Sequence, residues 1–211
     1  NGVISNPGTQ TTAVTKEGAG TWRISNAANT FTGQVTINNG ILEIAGGGAV
    51  NDSATVALNG DGGDGIFSGL AKVRIVNSET IGLLTGDVLT EAEILVGQTL
   101  TIAGGNSTMN GLITGAGNLS RVILSGATAG TLTTSDKNTY GGITTLGSTG
   151  TATASAGITL YHLADGASNS GLGSSSNAAT NLVFTTNTAG NQGGILQWQG
   201  FTNQSTDRLF T

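Results

Sequence analysis

The chain of 211 residues has no cysteine, a single proline, and few charged or aromatic side chains. Without cysteine there is no disulfide framework, no thiolate metal site and no cysteine nucleophile. Charged residues make up 9% of the sequence, against about 25% in an ordinary soluble domain. The seven basic residues are spread over the whole length and the net charge is -5, which leaves no electrostatic footprint for nucleic acid.

Long apolar runs and strong helix formers are scarce as well. No apolar run approaches the roughly 18 residues that a membrane-spanning helix needs. The 36 glycines, together with the shortage of lysine, glutamate and arginine, disfavour a long helical bundle. The glycines show no three-residue period, so a collagen triple helix is excluded. What remains is an all-β protein.

Short alternating segments recur along the whole chain. Each is rich in valine, isoleucine, leucine and threonine and is closed by glycine, asparagine or aspartate. They lie at 35–37, 41–44, 54–58, 72–76, 99–102 and 121–124. Alternation of this kind, bounded by turn residues, is typical of short β-strands.

The sequence also repeats itself loosely. Asn1–Ser5 reappears as Asn110–Thr114, and the Asn-Thr-aromatic triplet 29–31 reappears at the same offset as 138–140. Self-similarity at a fixed spacing is the mark of a repeat architecture. We therefore predict one β-solenoid over 1–211, built of two degenerate repeats at about 1–109 and 110–211.

Stacked coils explain the mixture of small polar and aliphatic residues. Coils of roughly 20 residues would give about ten turns and a body near 50 Å long, at about 4.8 Å per turn. Aliphatic side chains would lie inside, while threonine and asparagine would form ladders outside. A β-sandwich in each repeat is the alternative, because it shares short strands and turn signals.

Residues 18–42 resemble the autotransporter-associated β-strand repeat. The resemblance covers most of the chain more loosely, although the stretch 133–137 departs from the usual pattern. The residues that carry it are Gly20, Trp22, Asn29, Thr30, Phe31 and Gly33, with Asn138, Thr139, Tyr140 and Gly142 in the second copy. The resemblance implies a secreted or cell-surface bacterial passenger region that folds as a right-handed parallel β-helix. It brings no catalytic residues and no cofactor.

Two acidic groups are the main candidates for chemistry. Asp61 and Asp64 lie in a Gly-Asp-rich stretch that could bind calcium, but a single copy favours a plain turn. The densest acidic stretch contains Glu79, Asp87, Glu91 and Glu93. Paired carboxylates can cleave glycosides, yet no basic residue lies between Arg74 and Arg121, which favours a solvated loop or edge.

Histidine and the aromatic residues point away from catalysis. His162 is the only histidine, and its apolar neighbours predict a strand packed on one face. The aromatic side chains could form a sugar-stacking platform, but a place in the core is the favoured interpretation. They are Trp22, Phe31, Tyr140, Trp198 and Phe201.

The composition and the repeats favour a non-enzymatic extracellular structural module, such as a stalk, fibre or surface-layer segment. Because open solenoid ends template further pairing, the expected partners are flanking repeats of a longer chain or further copies that assemble head to tail into filaments. An adhesin or carbohydrate-binding passenger, with glycans as partners, is the alternative. A polysaccharide-active β-helix enzyme is less favoured.

Overall fold

The computed structural model describes residues 2–60 and 70–211. Within these residues the regular structure is almost entirely strand, with one short 3-10 turn at Ala179–Asn181 and no α-helix. The calcium candidates Asp61 and Asp64 lie outside the described residues. The strands are β1 (Val14–Lys16), β2 (Thr21–Ile24), β3 (Val35–Ile37), β4 (Gly40–Ile44), β5 (Thr55–Leu58), β6 (Ala71–Ile75), β7 (Glu79–Ile81), β8 (Leu83–Gly86), β9 (Thr90–Ile94), β10 (Thr99–Ile102), β11 (Ser107–Met109), β12 (Leu112–Gly115), β13 (Asn118–Ile123), β14 (Gly130–Thr134), β15 (Thr144–Ser148), β16 (Ala156–Leu160), β17 (Leu182–Thr185) and β18 (Gly194–Trp198).

The strands form three sheets, which are the three faces of a coil. Sheet A has the order β1-β3-β5-β8-β11-β14-β16-β18, sheet B the order β2-β4-β6-β9-β12, and sheet C the order β7-β10-β13-β15-β17. Every pairing between these strands is parallel and joins one coil to the next. The prediction of an all-β parallel β-helix is confirmed, and the β-sandwich alternative, which needs antiparallel sheets, is wrong.

The coils differ in length along the chain. Val14 pairs with Val35 and Val35 with Val56, so the first coils take 21 residues each. The last coil joins Thr159 to Gln197 and takes 38 residues. Because the later coils are longer, sheet A has eight strands, and the expected ten coils were too many. At about 4.8 Å per coil the described body is about 34 Å long.

The core consists of aliphatic columns that run along the axis. In sheet B, for example, Leu42, Val73, Ala92 and Ile113 occupy successive coils at one register position. All of them are buried, while the residues on either side of each face outward. The period of two thus gives the inner strands of sheet B one buried face and one outward face.

Phe31 tests how far stability depends on this packing, because its side chain is fully buried. We expect Phe31→Ala to lower the free energy of unfolding by about 3–5 kcal/mol, since truncating a buried aromatic residue leaves a cavity. The exposed Val96→Ala is the matched control and should stay within about 0.5 kcal/mol of wild type. Urea unfolding followed by circular dichroism measures both. Equal effects of the two substitutions would contradict the buried position of Phe31.

Candidate interaction surfaces

The Asn-Thr-aromatic segment is fixed to the coil before it by its first two residues. The Ile4 N–H donates to Asn29 Oδ1 at 2.9 Å, and the Thr30 N–H donates to the Ile4 carbonyl at 2.9 Å. The Asn29 amide also donates to the Ala49 carbonyl at 3.0 Å. One side chain therefore joins the preceding and the following coil.

The second copy makes the same bonds. The Ile113 N–H donates to Asn138 Oδ1 at 2.9 Å, and the Thr139 N–H donates to the Ile113 carbonyl at 3.0 Å. The fully buried Asn138 also donates from Nδ2 to the carbonyls of Ser135 and Gly171. In both copies the motif therefore forms hydrogen bonds with the backbone N–H and carbonyl of one residue in the preceding coil.

The aromatic residue and the glycine of each copy hold the motif close to the preceding coil. Phe31 and Tyr140 are fully buried, and the Tyr140 hydroxyl lies 2.8 Å from Thr144 Oγ1. Burial raises the pKa of Tyr140 to about 12. A Cβ atom at Gly33 or Gly142 would collide with the backbone of the preceding coil, so only glycine allows that approach. Gly20 is exposed, and its carbonyl accepts a bond from the next coil.

The two copies of the motif lie on different faces. Residues 26–33 connect β2 of sheet B to β3 of sheet A, in the place where later coils carry a sheet C strand. Residues 136–142 connect β14 of sheet A to β15 of sheet C, where earlier coils carry a sheet B strand. Each copy therefore replaces one strand of its coil, and the replaced face changes from C to B along the chain.

The outer face of sheet B carries a ladder of alternating charge. Arg23, Glu43, Arg74 and Glu93 are register partners on four successive coils. Arg23 Nη2 lies 2.7 Å from Glu43 Oε2, Arg74 Nη1 lies 3.0 Å from Glu43 Oε1, and Arg74 Nε lies 2.6 Å from Glu93 Oε2. The hydrogen bond from Arg23 outweighs partial burial and lowers the pKa of Glu43.

Lys72 extends the same ladder and corrects the interpretation of the acidic stretch. Its Nζ lies 3.0 Å from Glu91 Oε1 and 2.8 Å from Glu93 Oε2. Glu91 and Glu93 are therefore ion-paired on β9, an internal strand of sheet B, and the expectation of a solvated loop or edge is wrong for them. The basic partners Lys72 and Arg74 lie one coil earlier, 19 residues before Glu91 and Glu93 in the sequence. Residues so far apart are not recognised as neighbours without the register of the coils.

The expectation of a solvated loop or edge is wrong for Glu79 as well. Its side chain is buried on the inner face of sheet C. Its carboxylate accepts bonds from the N–H groups of Gly48, Ala49 and Val50, at 2.8 to 3.3 Å. Burial raises the pKa of Glu79, although the three N–H donors oppose the shift. Asp87 lies in a separate turn and accepts the Leu89 N–H. The four acids thus occupy three different elements.

Three basic side chains lie inside the coil, which the sequence analysis did not anticipate. Lys16, Arg121 and Arg208 are all buried, and most of their hydrogen bonds go to backbone carbonyls at the corners. Arg121 bonds to the carbonyls of Ile102 and two glycines, and burial lowers its pKa to about 10. Corner carbonyls therefore stabilise charges that would otherwise be costly to bury. The available signal was a basic residue at a position where neighbouring coils have aliphatic ones.

The remaining candidates for chemistry do not converge. His162 is half-buried just beyond β16, not within a strand, and its Nδ1 lies 3.3 Å from the Asp136 carbonyl. An open cleft of about 540 Å³ lies between the loop 124–128 and the corners of earlier coils, and Asp52 is the one acidic residue among its described lining residues. In the described part of the chain, no three His, Cys, Asp or Glu side chains are placed to hold a metal ion. Nor does any helix there have the length and apolar character needed to cross a membrane.

Both ends of the coil expose positions that are buried elsewhere. Trp22 shares a register position with the buried Leu42, yet it is 41% exposed on the first coil. At the other end, Leu196 and Trp198 follow the buried Ile158 and Leu160 and are 36% and 44% exposed. The expectation that all five aromatic residues are core holds for Phe31 and Tyr140 alone, because the others lie on or beyond the terminal coils.

An aromatic pair also projects beside the last coils. The Tyr161 and Phe201 rings are stacked with centroids 6.4 Å apart and an interplanar angle of 14°. Phe201 is 95% exposed and Tyr161 is 37% exposed. The pair therefore offers aromatic surface to a ligand.

Stacked parallel coils with an aliphatic interior define the chain as a β-helical repeat segment. Residues 14–44 match the family model of the passenger-associated-transport-repeat. The chain is 30% identical over 235 aligned positions to the adhesin BmaC autotransporter of Brucella suis biovar 1 (strain 1330), a match that covers 93% of this chain and 6% of that protein. No solved structure matches the chain significantly. The chain carries an autotransporter passenger-like repeat, as the resemblance indicated, and the matches suggest a secreted or cell-surface protein.

Glu43→Gln tests the charge ladder through its pH dependence. The pKa of Glu43 is lower in the folded than in the unfolded chain, so its carboxylate stabilises the fold above the unfolded value of about 4.3 and the gain is lost as the pH falls through the folded pKa. We expect the variant to be about 1 kcal/mol less stable than wild type at neutral pH. The difference should shrink below about pH 4.

Urea unfolding at several pH values measures this difference. Asp136→Asn is the control, because Asp136 is exposed and makes no ion pair with a described residue. A gap between wild type and Glu43→Gln that stays constant down to pH 3 would show that the ladder does not depend on the charge of Glu43.

Proposed function

We propose that the chain is a structural segment of an extracellular passenger, a β-helical stalk that holds other parts of a longer protein away from the cell. The observation that carries this proposal is the unbroken sheet A, which joins eight successive coils by parallel pairing. One continuous core lies behind it along most of the chain. The chain spans 6% of the length of the adhesin autotransporter that it matches, which fits one section of a long rod.

A non-enzymatic role is supported by how the polar groups are used. Of the four acids considered for glycoside cleavage, Glu91 and Glu93 form ion pairs. Glu79 accepts hydrogen bonds from backbone N–H groups, and Asp87 accepts one in a turn. The described lining of the open cleft beside loop 124–128 offers one carboxylate, Asp52, whereas glycoside hydrolysis uses a pair. These four carboxylates therefore contribute to the fold.

Within the stalk, we infer that residues of about 1–109 and 110–211 are two degenerate copies of one unit. The support is that Asn29 and Asn138 accept equivalent backbone bonds, from Ile4 and Ile113. The face that each copy replaces differs, so the second copy is rotated about the axis relative to the first.

An in-frame deletion tests the stalk role. We expect removal of this segment from its parent protein to leave export intact and to shorten the projecting rod by about 34 Å, one coil rise for each interval of sheet A. Electron microscopy of the exported parent measures the length, and protease treatment of intact cells reports surface exposure. A parent carrying Val88→Ala is the control for length. Unchanged rod length, or a segment protected from protease in intact cells, would refute the stalk role.

Adhesion to glycans is a second candidate, which the exposed Tyr161–Phe201 pair favours. Aromatic faces offer flat apolar area to the carbon-bound hydrogens of a sugar ring. The matched autotransporter is itself called an adhesin. In this reading the stalk contributes binding as well as length.

A glycan array with the purified chain tests the second candidate. We expect Phe201→Ala to weaken the binding of any glycan that wild type retains by about tenfold, or about 1.4 kcal/mol. Val88→Ala removes an exposed aliphatic side chain away from the pair and should leave binding unchanged. No glycan retained by wild type, or equal retention by Phe201→Ala, would eliminate this site.

A further inference from the structure

Asparagine is followed by glycine at four places in the chain, and three of these pairs lie within the described residues. They begin at Asn39, Asn59 and Asn110, whereas Asn1 lies outside the described residues. Such a pair is chemically labile, because glycine has no side chain to keep its backbone nitrogen away from the side-chain carbonyl of the asparagine before it. Which of the three pairs reacts then depends on how the fold holds the two reacting groups.

The reaction is a cyclisation followed by hydrolysis. The glycine nitrogen attacks the side-chain carbonyl carbon of the asparagine, a C–N bond forms, and the side-chain nitrogen leaves as ammonia with the proton of the glycine N–H. Water then opens the five-membered succinimide ring at one of its two carbonyls and leaves aspartate or isoaspartate. In balance, one water is consumed, one ammonia is released, and a neutral amide becomes a carboxylate.

Two of the three pairs are restrained by hydrogen bonds. The Gly40 N–H donates to the Leu70 carbonyl at 3.0 Å, so the nitrogen that follows Asn39 is engaged. The Asn59 side chain donates from Nδ2 to Asn38 Oδ1 at 3.0 Å, so its amide cannot turn toward the next residue without breaking that bond. Attack at either pair therefore needs a local opening of the coil.

Asn110 has neither restraint. Its side chain is exposed, and neither its amide nor the Gly111 N–H has a hydrogen-bond partner among the described residues. Gly111 itself is buried, and a Cβ atom there would collide with the Thr90 carbonyl. The attacking nitrogen is thus held in place by packing while the exposed side chain is free to turn onto it.

Conversion at Asn110 would place two carboxylates on neighbouring coils. The Asn110 N–H donates to the Gly86 carbonyl at 2.8 Å, and Met109 is the register partner of Gly86. Asn110 therefore occupies the position of Asp87 one coil later, about 4.8 Å along the axis. Like charges on directly opposed residues of paired strands are destabilising.

We propose that Asn110–Gly111 is a site of spontaneous modification, at which the folded chain loses ammonia and gains a carboxylate one coil after Asp87. Each converted molecule carries one more negative charge, and the repulsion weakens the stacking of these two coils. The proposal needs only the fold and is independent of the stalk role and of glycan binding.

Peptide mapping by mass spectrometry, on the chain stored at neutral pH, measures conversion at each pair. We expect Asn110 to convert at least about tenfold faster than Asn39 and Asn59 in the folded chain, because the other two wait for local opening. The same chain in guanidinium chloride is the matched control, since all three pairs should react there at similar rates. Conversion at Asn39 or Asn59 as fast as at Asn110 in the folded chain would overturn the proposal. So would an Asn110 that converts in denaturant and stays intact in the fold.

Two variants separate the added charge from the loss of the amide. Asn110→Asp carries the charge of the product, while Asn110→Ser lacks both the amide and the charge. We expect Asn110→Asp to unfold at a lower urea concentration than Asn110→Ser at neutral pH, and the difference to shrink in acid as aspartate side chains lose their charge. Equal midpoints at neutral pH would contradict the proposed position of the new carboxylate.

Discussion

Parallel, in-register pairing of each strand with the strand one coil later is the constraint on which the rest of the structure depends. It places residues about 20 or more positions apart on top of one another, so each inward position becomes a column such as Leu42, Val73, Ala92 and Ile113. Such an inward column excludes water only if almost every residue in it is apolar. The outward columns have no such restriction, and they carry the ion pairs and threonines that keep the surface polar with few charges.

The polar groups inside the coil show how this constraint is relaxed without losing the core. Glu79 faces three backbone N–H groups, and Arg121 faces three backbone carbonyls. In both places a corner of the adjoining coil turns its peptide groups toward the side chain. A buried ionised group needs such partners because water is excluded. The corners are thus recognition elements between coils, while the strands supply the regular pairing.

The sequence allowed most of the fold and little of its register to be predicted. The runs at 35–37 and 41–44 became β3 and most of β4, because alternation and turn residues are local signals. Which strand lies above which depends on the length of the loops between them, and that length rises from coils of 21 residues to one of 38. The partners of Glu91 and Glu93 were missed for this reason. Lys72 and Arg74 are neighbours in the register and remote in the sequence.

The repeat motif acts on the choice of faces as well as on packing. In the second copy, Asn138 Oδ1 and the Thr139 N–H bind the backbone groups of Ile113 in β12, so sheet B ends there while sheets A and C continue. The first copy makes the same bonds to Ile4 on the C face, where no strand is formed before β7.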